Sequence, residues 1–304
     1  MRVGLTLPHY DFSDPVRARA SFRTVAEWAV RAEELGFDSA WVSDHFVYSL
    51  GRYGGDPALG GSLEPLVTVA GLAARTSRIR LGTLVLGAPF RDAVMTAQLA
   101  TTLGGLSGGR FDLGLGAGWY ERDFEPFGYR FGTIGERFAF LEDLREAIEP
   151  AVAAARVPVW IGAKGGDRAL RLVARRGDGW NAAWRLRPEA YAERVARLRA
   201  LAAEAGAPAP RLSIGLYAVI GEDERDLERR WAAMAGWLPG AADDLPAWRE
   251  DALVGTVDDA VERLRAFAAL GVEEVVIAPA TVPFSVPQPD LVDLVARELV
   301  PRVR

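Results

Sequence analysis

Short apolar runs recur along the whole chain, and helical stretches with one apolar side separate them. The runs are Arg2–Leu7, Ser39–Ser43, Ile79–Leu86, Arg110–Gly116, Val157–Gly162, Gly179–Ala182, Leu212–Gly221 and Glu274–Ala278. Continuous rather than alternating apolarity is what strands of a parallel sheet need, because helices bury both faces. In "RTVAEWAVRAEELG" the residues Val25, Ala29, Ala32 and Leu35 fall on one side of a helix, and Gly36 follows where the chain must leave it. Gly271 follows Leu270 in the same way. Eight such β/α pairs with right-handed crossovers close most simply into a (β/α)8 TIM barrel. A doubly wound open sheet fits the alternation too, but usually with fewer strands. No internal repeat or long linker interrupts the pattern, so one domain over residues 1–304 is expected.

Composition narrows the chemistry. The chain has no cysteine, which excludes disulfides, thiol catalysis and thiolate metal sites. Its two histidines lie outside any metal-binding spacing, so no metal site is expected. A net charge of −5, with arginine and glutamate interspersed, speaks against nucleic acid as a partner. No apolar run is long enough to span a membrane, and "MRVGLTLPHY" lacks the apolar stretch of a signal peptide, so a cytoplasmic protein is expected. A nucleophile elbow, G-x-S-x-G, is absent. Two stretches carry no charge, Pro65–Ala74 and Ala93–Gly109. A helix without a polar face is buried all round. Barrel helices ordinarily show water one face, so helices two and three are expected to meet a second copy in a homodimer, with Ala97, Thr101 and Gly105 allowing close approach.

In a TIM barrel, chemistry sits at the C-terminal ends of the strands. The scarce polar residues fall there. His9 and His45 follow the first and second strands, Trp119 and Glu121 the fourth, Lys164 the fifth, and Asn181 and Trp184 end the sixth. Lys164 is the only lysine. It lies in "VWIGAKGGDRAL", where a strand gives way to glycines and then to a helix that begins near Asp167. Backbone N–H groups freed by glycine, a helix N-terminus and a compact cation together suit a phosphate. A plain turn capped by Asp167, with Lys164 in solvent, fits the same residues. The spacing is not that of the GxxxxGK[ST] phosphate loop. In "VSDHFVY", the Asp44 carboxylate could orient the His45 imidazole for proton transfer; Asp44 as a turn residue and His45 as a packed rim residue fit equally. "LGLGAGWYERDFEPFG" fails the dinucleotide fingerprint, since Trp119 stands at the third glycine. Gly116 and Gly118 are expected to turn the chain tightly beneath a flat ligand, and Trp119 and Tyr120 either stack on it or wall the mouth. Glu121 and Asp123 read as caps of a following turn.

These motifs, in this order, resemble the luciferase-like monooxygenase superfamily and, within it, the branch that uses the deazaflavin coenzyme F420. The longest block of resemblance is Thr76 to Gly128, supported by "ELGFDSAWVSDHF", "PVWIGAKGGDRALRLVARRGDGWN" and "LVGTVDDAVERLRAFAALGVEEVVI". The resemblance implies a barrel that holds F420, or alternatively FMN, in its C-terminal mouth and acts on a small organic molecule. It implies that Asp44 and His45 lie beside the cofactor ring, His45 as the proton-transfer group. It also implies a non-prolyl cis peptide at Thr83–Leu84 beneath the ring, and a phosphate cradle at Ala163, Lys164, Gly165 and Gly166. Relatives acting on glucose 6-phosphate carry an acid where this chain has Trp119 and a tryptophan where it has Ser49, which argues against that substrate. The direct passage from helix four to strand five leaves the mouth open, or closed by Tyr48–Ser62 and Pro239–Trp248. The rival functions are an FMN-dependent monooxygenase, a Schiff-base aldolase using Lys164, and a flavin-binding protein without activity.

Overall fold

The computed structural model describes residues 1–13 and 19–304. Eight parallel strands form a closed ring: β1 (Arg2–Thr6), β2 (Ser39–Val42), β3 (Arg80–Thr83), β4 (Phe111–Gly116), β5 (Val159–Gly162), β6 (Gly179–Trp184), β7 (Arg211–Gly221) and β8 (Val272–Ala278). Neighbours in sequence are neighbours in the ring, and β8 returns to β1 with Arg2 beside Glu274 and Leu5 beside Ile277. Around the ring lie α1 (Phe22–Glu34), α2 (Pro65–Ala73), α3 (Ala93–Leu106), α4 (Ile134–Ala154), α5 (Asp167–Arg176), α6 (Pro188–Glu204), α7 (Glu224–Trp237) and α8 (Val257–Ala269), with a last helical run from Pro289 to Val303. Capping chemistry sets several starts. Ser21 accepts a hydrogen bond from the Thr24 amide, and Thr133 with Glu136 and Thr256 with Asp259 form reciprocal boxes. The outward residues Val3, Leu5 and Leu7 join Val25, Ala29 and Ala32 of α1 in one core.

Inside the ring, large and small residues are matched. Trp41 and Trp160 fill the centre, and both are almost wholly buried. A Cβ at Gly82 would lie 2.3 Å from the Trp41 ring, and one at Gly179 would lie 2.3 Å from Trp160. At the foot of the barrel the plug is charged. Buried Glu274 accepts hydrogen bonds from Arg2 (2.9 Å), from Ser39 and from the Trp41 indole (3.3 Å). Asp112 accepts from Arg80 (2.6 Å) and from the Trp160 indole (3.3 Å). Burial pushes the Glu274 carboxyl above its ordinary pKa, and the Arg2 guanidinium pulls against it.

Three departures from the sequence reading bear on the site. The third apolar run is broken: β3 stops at Thr83, and pairing with β4 resumes only at Leu86–Gly87. The cis peptide is Leu84–Val85, one residue beyond the bond expected, and Ala183–Trp184 is a second. The stretch Tyr48–Ser62, read from its glycines and polar residues as a loop over one end, carries a hairpin, because Val47–Ser49 pairs antiparallel with Leu59–Gly61. A further short strand, Leu253–Thr256, lies along the end of β7.

Candidate active site at the barrel mouth

His9, His45 and Lys164 all emerge at the C-terminal ends of strands, and so at one end of the barrel. The ring of His45 is half-buried, and its Nδ1 lies 2.5 Å from Oδ2 of Asp123. The other oxygen of Asp123 accepts from the Val47 amide at 3.1 Å. With only 3% of its side chain exposed, Asp123 has no freedom to turn away. A carboxylate only accepts, so it holds the proton of neutral His45 on Nδ1 and leaves Nε2 as the basic nitrogen. Four aromatic rings surround the imidazole: Tyr48 at 5.1 Å, Trp119 and Tyr120 at 5.7 Å, and Tyr10 at 6.2 Å between centroids.

Asp44, expected to orient His45, has another partner. It forms an ion pair with Arg91 (2.5 Å) and accepts from the Gly87 amide (2.9 Å), while Arg91 also reaches Glu64 (3.0 Å). Asp44 therefore ties the end of β2 to the approach to α3, and the role expected of it falls to Asp123. That residue was read as a turn cap. No local pattern pairs it with a histidine 78 positions away; only closure of the barrel does.

His9 is fully buried, not a rim residue. Its Nδ1 lies 3.2 Å from the Leu7 carbonyl, and the Ser43 amide donates to its Nε2 at 3.3 Å. Ser43 Oγ lies 3.1 Å from the same nitrogen and also meets the Tyr10 hydroxyl. Burial lowers the His9 pKa to about 4, so the ring is neutral near pH 7. Burial likewise pushes the Tyr10 and Tyr48 phenols up, so both stay protonated.

The remaining expected residues divide. Thr83 is buried; its hydroxyl donates to the Gly114 carbonyl (3.0 Å) and accepts from the Gly114 amide (2.9 Å), joining β3 to β4. Leu84 is buried at the mouth beside Tyr10 and Tyr48. Gly116 does not lie open beneath a ligand. A Cβ there would meet Val85 at 2.5 Å, and one at Gly162 would meet Val85 at 2.6 Å, so both glycines make room for that side chain. Gly118 turns the chain at φ +72°, and its carbonyl accepts from Arg137 (3.2 Å).

The β5–α5 turn keeps the features of an anion cradle. The Ala163 amide donates to the Asn181 carbonyl (3.0 Å), and the Trp180 indole donates to the Ala163 carbonyl (2.9 Å), which fixes the turn. Gly165 has φ +86°, a conformation that only glycine adopts without strain. Gly166, not Asp167, is the N-cap of α5, and no side chain caps this end. Side chains do cap α1, α2, α3, α4, α7 and α8; α6 shares the bare end. Asp167 faces away, paired with Arg171 and Arg197 at 2.8 Å each. Lys164 is exposed and has no ion pair among the described residues. Open amides and a free cation fit a phosphate group.

Above the mouth, the hairpin and the segment after α7 meet. A Cβ at Gly240 would lie 2.8 Å from the Tyr53 backbone, and one at Gly55 would lie 2.6 Å from Leu238. Arg52 sits over the rings of Trp119 (5.1 Å) and Tyr53 (5.4 Å). Among the described residues no group of three or more His, Asp or Glu side chains is placed to hold a metal, and no helix is long and apolar enough to cross a membrane.

The model of the luciferase-like monooxygenase family matches residues 1–153 and 134–274. Among curated proteins, the chain is 33% identical over 181 residues to an F420-dependent glucose-6-phosphate dehydrogenase of Amycolatopsis mediterranei, covering 52% of each chain. The chain thus spans about half the length of this relative. A protein of the same name from Nocardia farcinica is 29% identical over 330 residues, covering 93% of this chain and 94% of the other. Among solved structures, an F420-dependent secondary alcohol dehydrogenase in complex with an F420–acetone adduct superposes with a TM-score of 0.75. That match covers 100% of this chain and 99% of the other at 17% identity, a likeness of fold.

Proposed function

The chain belongs to the luciferase-like monooxygenase family, and from that premise we propose that it is an oxidoreductase that transfers hydride between coenzyme F420 and a small organic substrate. The observation that carries this reading is the His45–Asp123 pair, a fixed proton acceptor, at the same barrel end as a bare helix N-terminus with a free lysine. Bound F420 would supply the hydride chemistry. The protein would hold the cofactor phosphate at Ala163, Lys164, Gly165 and Gly166, and place the ring over Leu84 and Val85 near Asp44. His45 Nε2 would take the proton of a substrate hydroxyl, or return it to a carbonyl oxygen. Asp123 would keep that nitrogen free and stabilise the ring once charged. The aromatic rings around His45 would reduce its contact with water and so strengthen this pairing.

We also infer a homodimer through α2 and α3. Val67, Val94, Met95, Leu99 and Leu106 stand exposed on these two helices in the single chain, and large apolar side chains left in water on adjacent helices fit an interface.

Titration of the purified protein with F420 and with FMN, followed by fluorescence, tests the cofactor. F420 is expected to bind, and Lys164→Ala to weaken it about tenfold, the worth of one charge-assisted hydrogen bond. Binding of FMN alone would reverse the cofactor assignment. Full F420 affinity in Lys164→Ala would remove that residue from the cradle.

A further inference from the structure

The hairpin over the mouth is attached unequally at its two ends. Its base is bonded into the barrel: the Asp11 amide donates to the Gly61 carbonyl (3.0 Å), and the Gly61 amide donates to the Asp11 carboxylate (2.6 Å). Its tip, residues 50–55, is folded on itself. The Tyr53 and Gly55 amides both donate to the Leu50 carbonyl, at 2.8 and 3.1 Å, and the Gly51 amide donates to Ser49 Oγ at 3.1 Å. Gly54, at φ +76°, turns the chain there. Towards Leu238 and Gly240 the tip makes close packing contacts, but among the described residues no backbone hydrogen bond joins it to residues 237–242.

One side chain ties the tip across the opening. The Tyr53 hydroxyl lies 3.0 Å from the Tyr48 hydroxyl on the hairpin and also meets the Tyr217 phenol on β7. The hairpin follows β2, and β1 and β8 stand between β2 and β7 in the ring, so this contact reaches over several strand ends. The Tyr53 ring packs on the buried cluster that contains Tyr10, Tyr48, Leu84 and Phe284, and Arg52 rests on it at 5.4 Å. Leu84 is left only 7% exposed.

Resting on the cofactor seat proposed above, over Leu84 and Val85, we propose that residues 50–55 form a lid that latches itself shut, with the Tyr53 side chain as its bolt. A flat ring on that seat and Tyr53 in its latched place compete for the same space, so the lid opens before the cofactor enters. Opening breaks the phenol contacts and the packing on Leu238 and Gly240. It breaks no strand pairing, because Val47–Ser49 and Leu59–Gly61 stay joined at the base. The tip keeps its inner hydrogen bonds and swings as a unit about the few residues that link it to the base.

The chain has no cysteine, so one introduced thiol reports the opening without any ligand. In the full chain carrying Leu84→Cys, labelling by dithionitrobenzoate is expected to be slow. Adding Tyr53→Phe, which keeps the ring and removes the hydroxyl, is expected to speed labelling about three- to tenfold, as the loss of one neutral hydrogen bond implies. A thiol in place of Ile161, fully buried on β5, is expected to react at the same rate with either residue at 53, which separates local opening from a loosened fold. A second variant joins the tip to the far side: a Cβ at Gly55 would lie 2.6 Å from the Leu238 side chain, so Gly55→Cys with Leu238→Cys can be crosslinked by oxidation. The oxidised form is expected to lose uptake of F420, followed by stopped-flow fluorescence, and reduction to restore it. Labelling of Leu84→Cys that ignores Tyr53→Phe overturns the lid, as does cofactor uptake unaffected by a crosslink confirmed by mass. A parent that binds neither F420 nor FMN defeats the cofactor reading instead, and thiol labelling then decides the lid.

Discussion

Replacing Asp123 by Asn keeps the size of the side chain and removes its charge, and the surroundings dictate which way the amide must face. The Val47 amide needs an acceptor and lies 3.1 Å from Oδ1. The amide oxygen of the variant must stay there, and its NH2 group then takes the place of Oδ2, 2.5 Å from His45 Nδ1. Two donors cannot face each other, so the ring gives up its Nδ1 proton and carries it on Nε2, where it can no longer act as a base. Loss of a hydrogen bond to a charged group is worth about 1.5–3 kcal/mol, or roughly 10–150-fold in rate. A wrong tautomer in a comparable Asp–His pair has cost ~10⁴-fold. A fall in kcat of at least about a hundredfold is expected, with KM nearly unchanged because the substrate's own contacts remain. Nitrogen NMR of the imidazoles reads the tautomer without any substrate, and the chain has just two histidines to assign. The parent should show Nε2 unprotonated in His45, the variant Nε2 protonated, and Asp123→Glu the parental form. An Asn variant with the parental tautomer and undiminished turnover would refute the reasoning.

Stability should follow His9. The unfolded chain takes up a proton at 6.5, whereas the buried ring resists until about 4, so stability is complete above the first value and declines as pH falls toward the second. The loss approaches about 3 kcal/mol; urea unfolding at several pH values should show it, with a flatter profile in His9→Gln. Gly82→Ala puts a Cβ 2.3 Å from the Trp41 ring and should cost about 1–3 kcal/mol by overpacking. Gly236→Ala, with nothing within 4 Å on α7, should instead gain ~0.5–1 kcal/mol; equal denaturation midpoints for the two would undo the packing account. Leu99→Asp should leave the fold intact and turn a dimer into a monomer in sedimentation equilibrium. A parent protein that is monomeric at high concentration would end the proposal of an α2–α3 interface.

The ring of strands was legible because each strand declares itself locally, as a run of apolar residues that any window exposes. The turn between β5 and α5 was legible for the same reason: Gly162 to Asp167 are consecutive, and a strand end, a turn and a helix start are local events. What failed to show was set by contacts between distant segments. Asp123 reads as a turn residue until the barrel closes and brings it to His45. Asp44 reads as a partner for its neighbour until Arg91 arrives from the approach to α3. Gly116 reads as a place for a ligand until Val85 occupies the space above it. In each case the residue type was right and the partner was chosen by tertiary packing.

The ionic foot of the barrel governs traffic as well as stability. With Glu274, Asp112 and their arginines packed around Trp41 and Trp160 at the foot, a ligand held inside the barrel would come and go by the mouth, and whatever settles deeper would arrive first and depart last. A cofactor seated on the inner wall would then bind before the smaller reactant placed above it and leave after it.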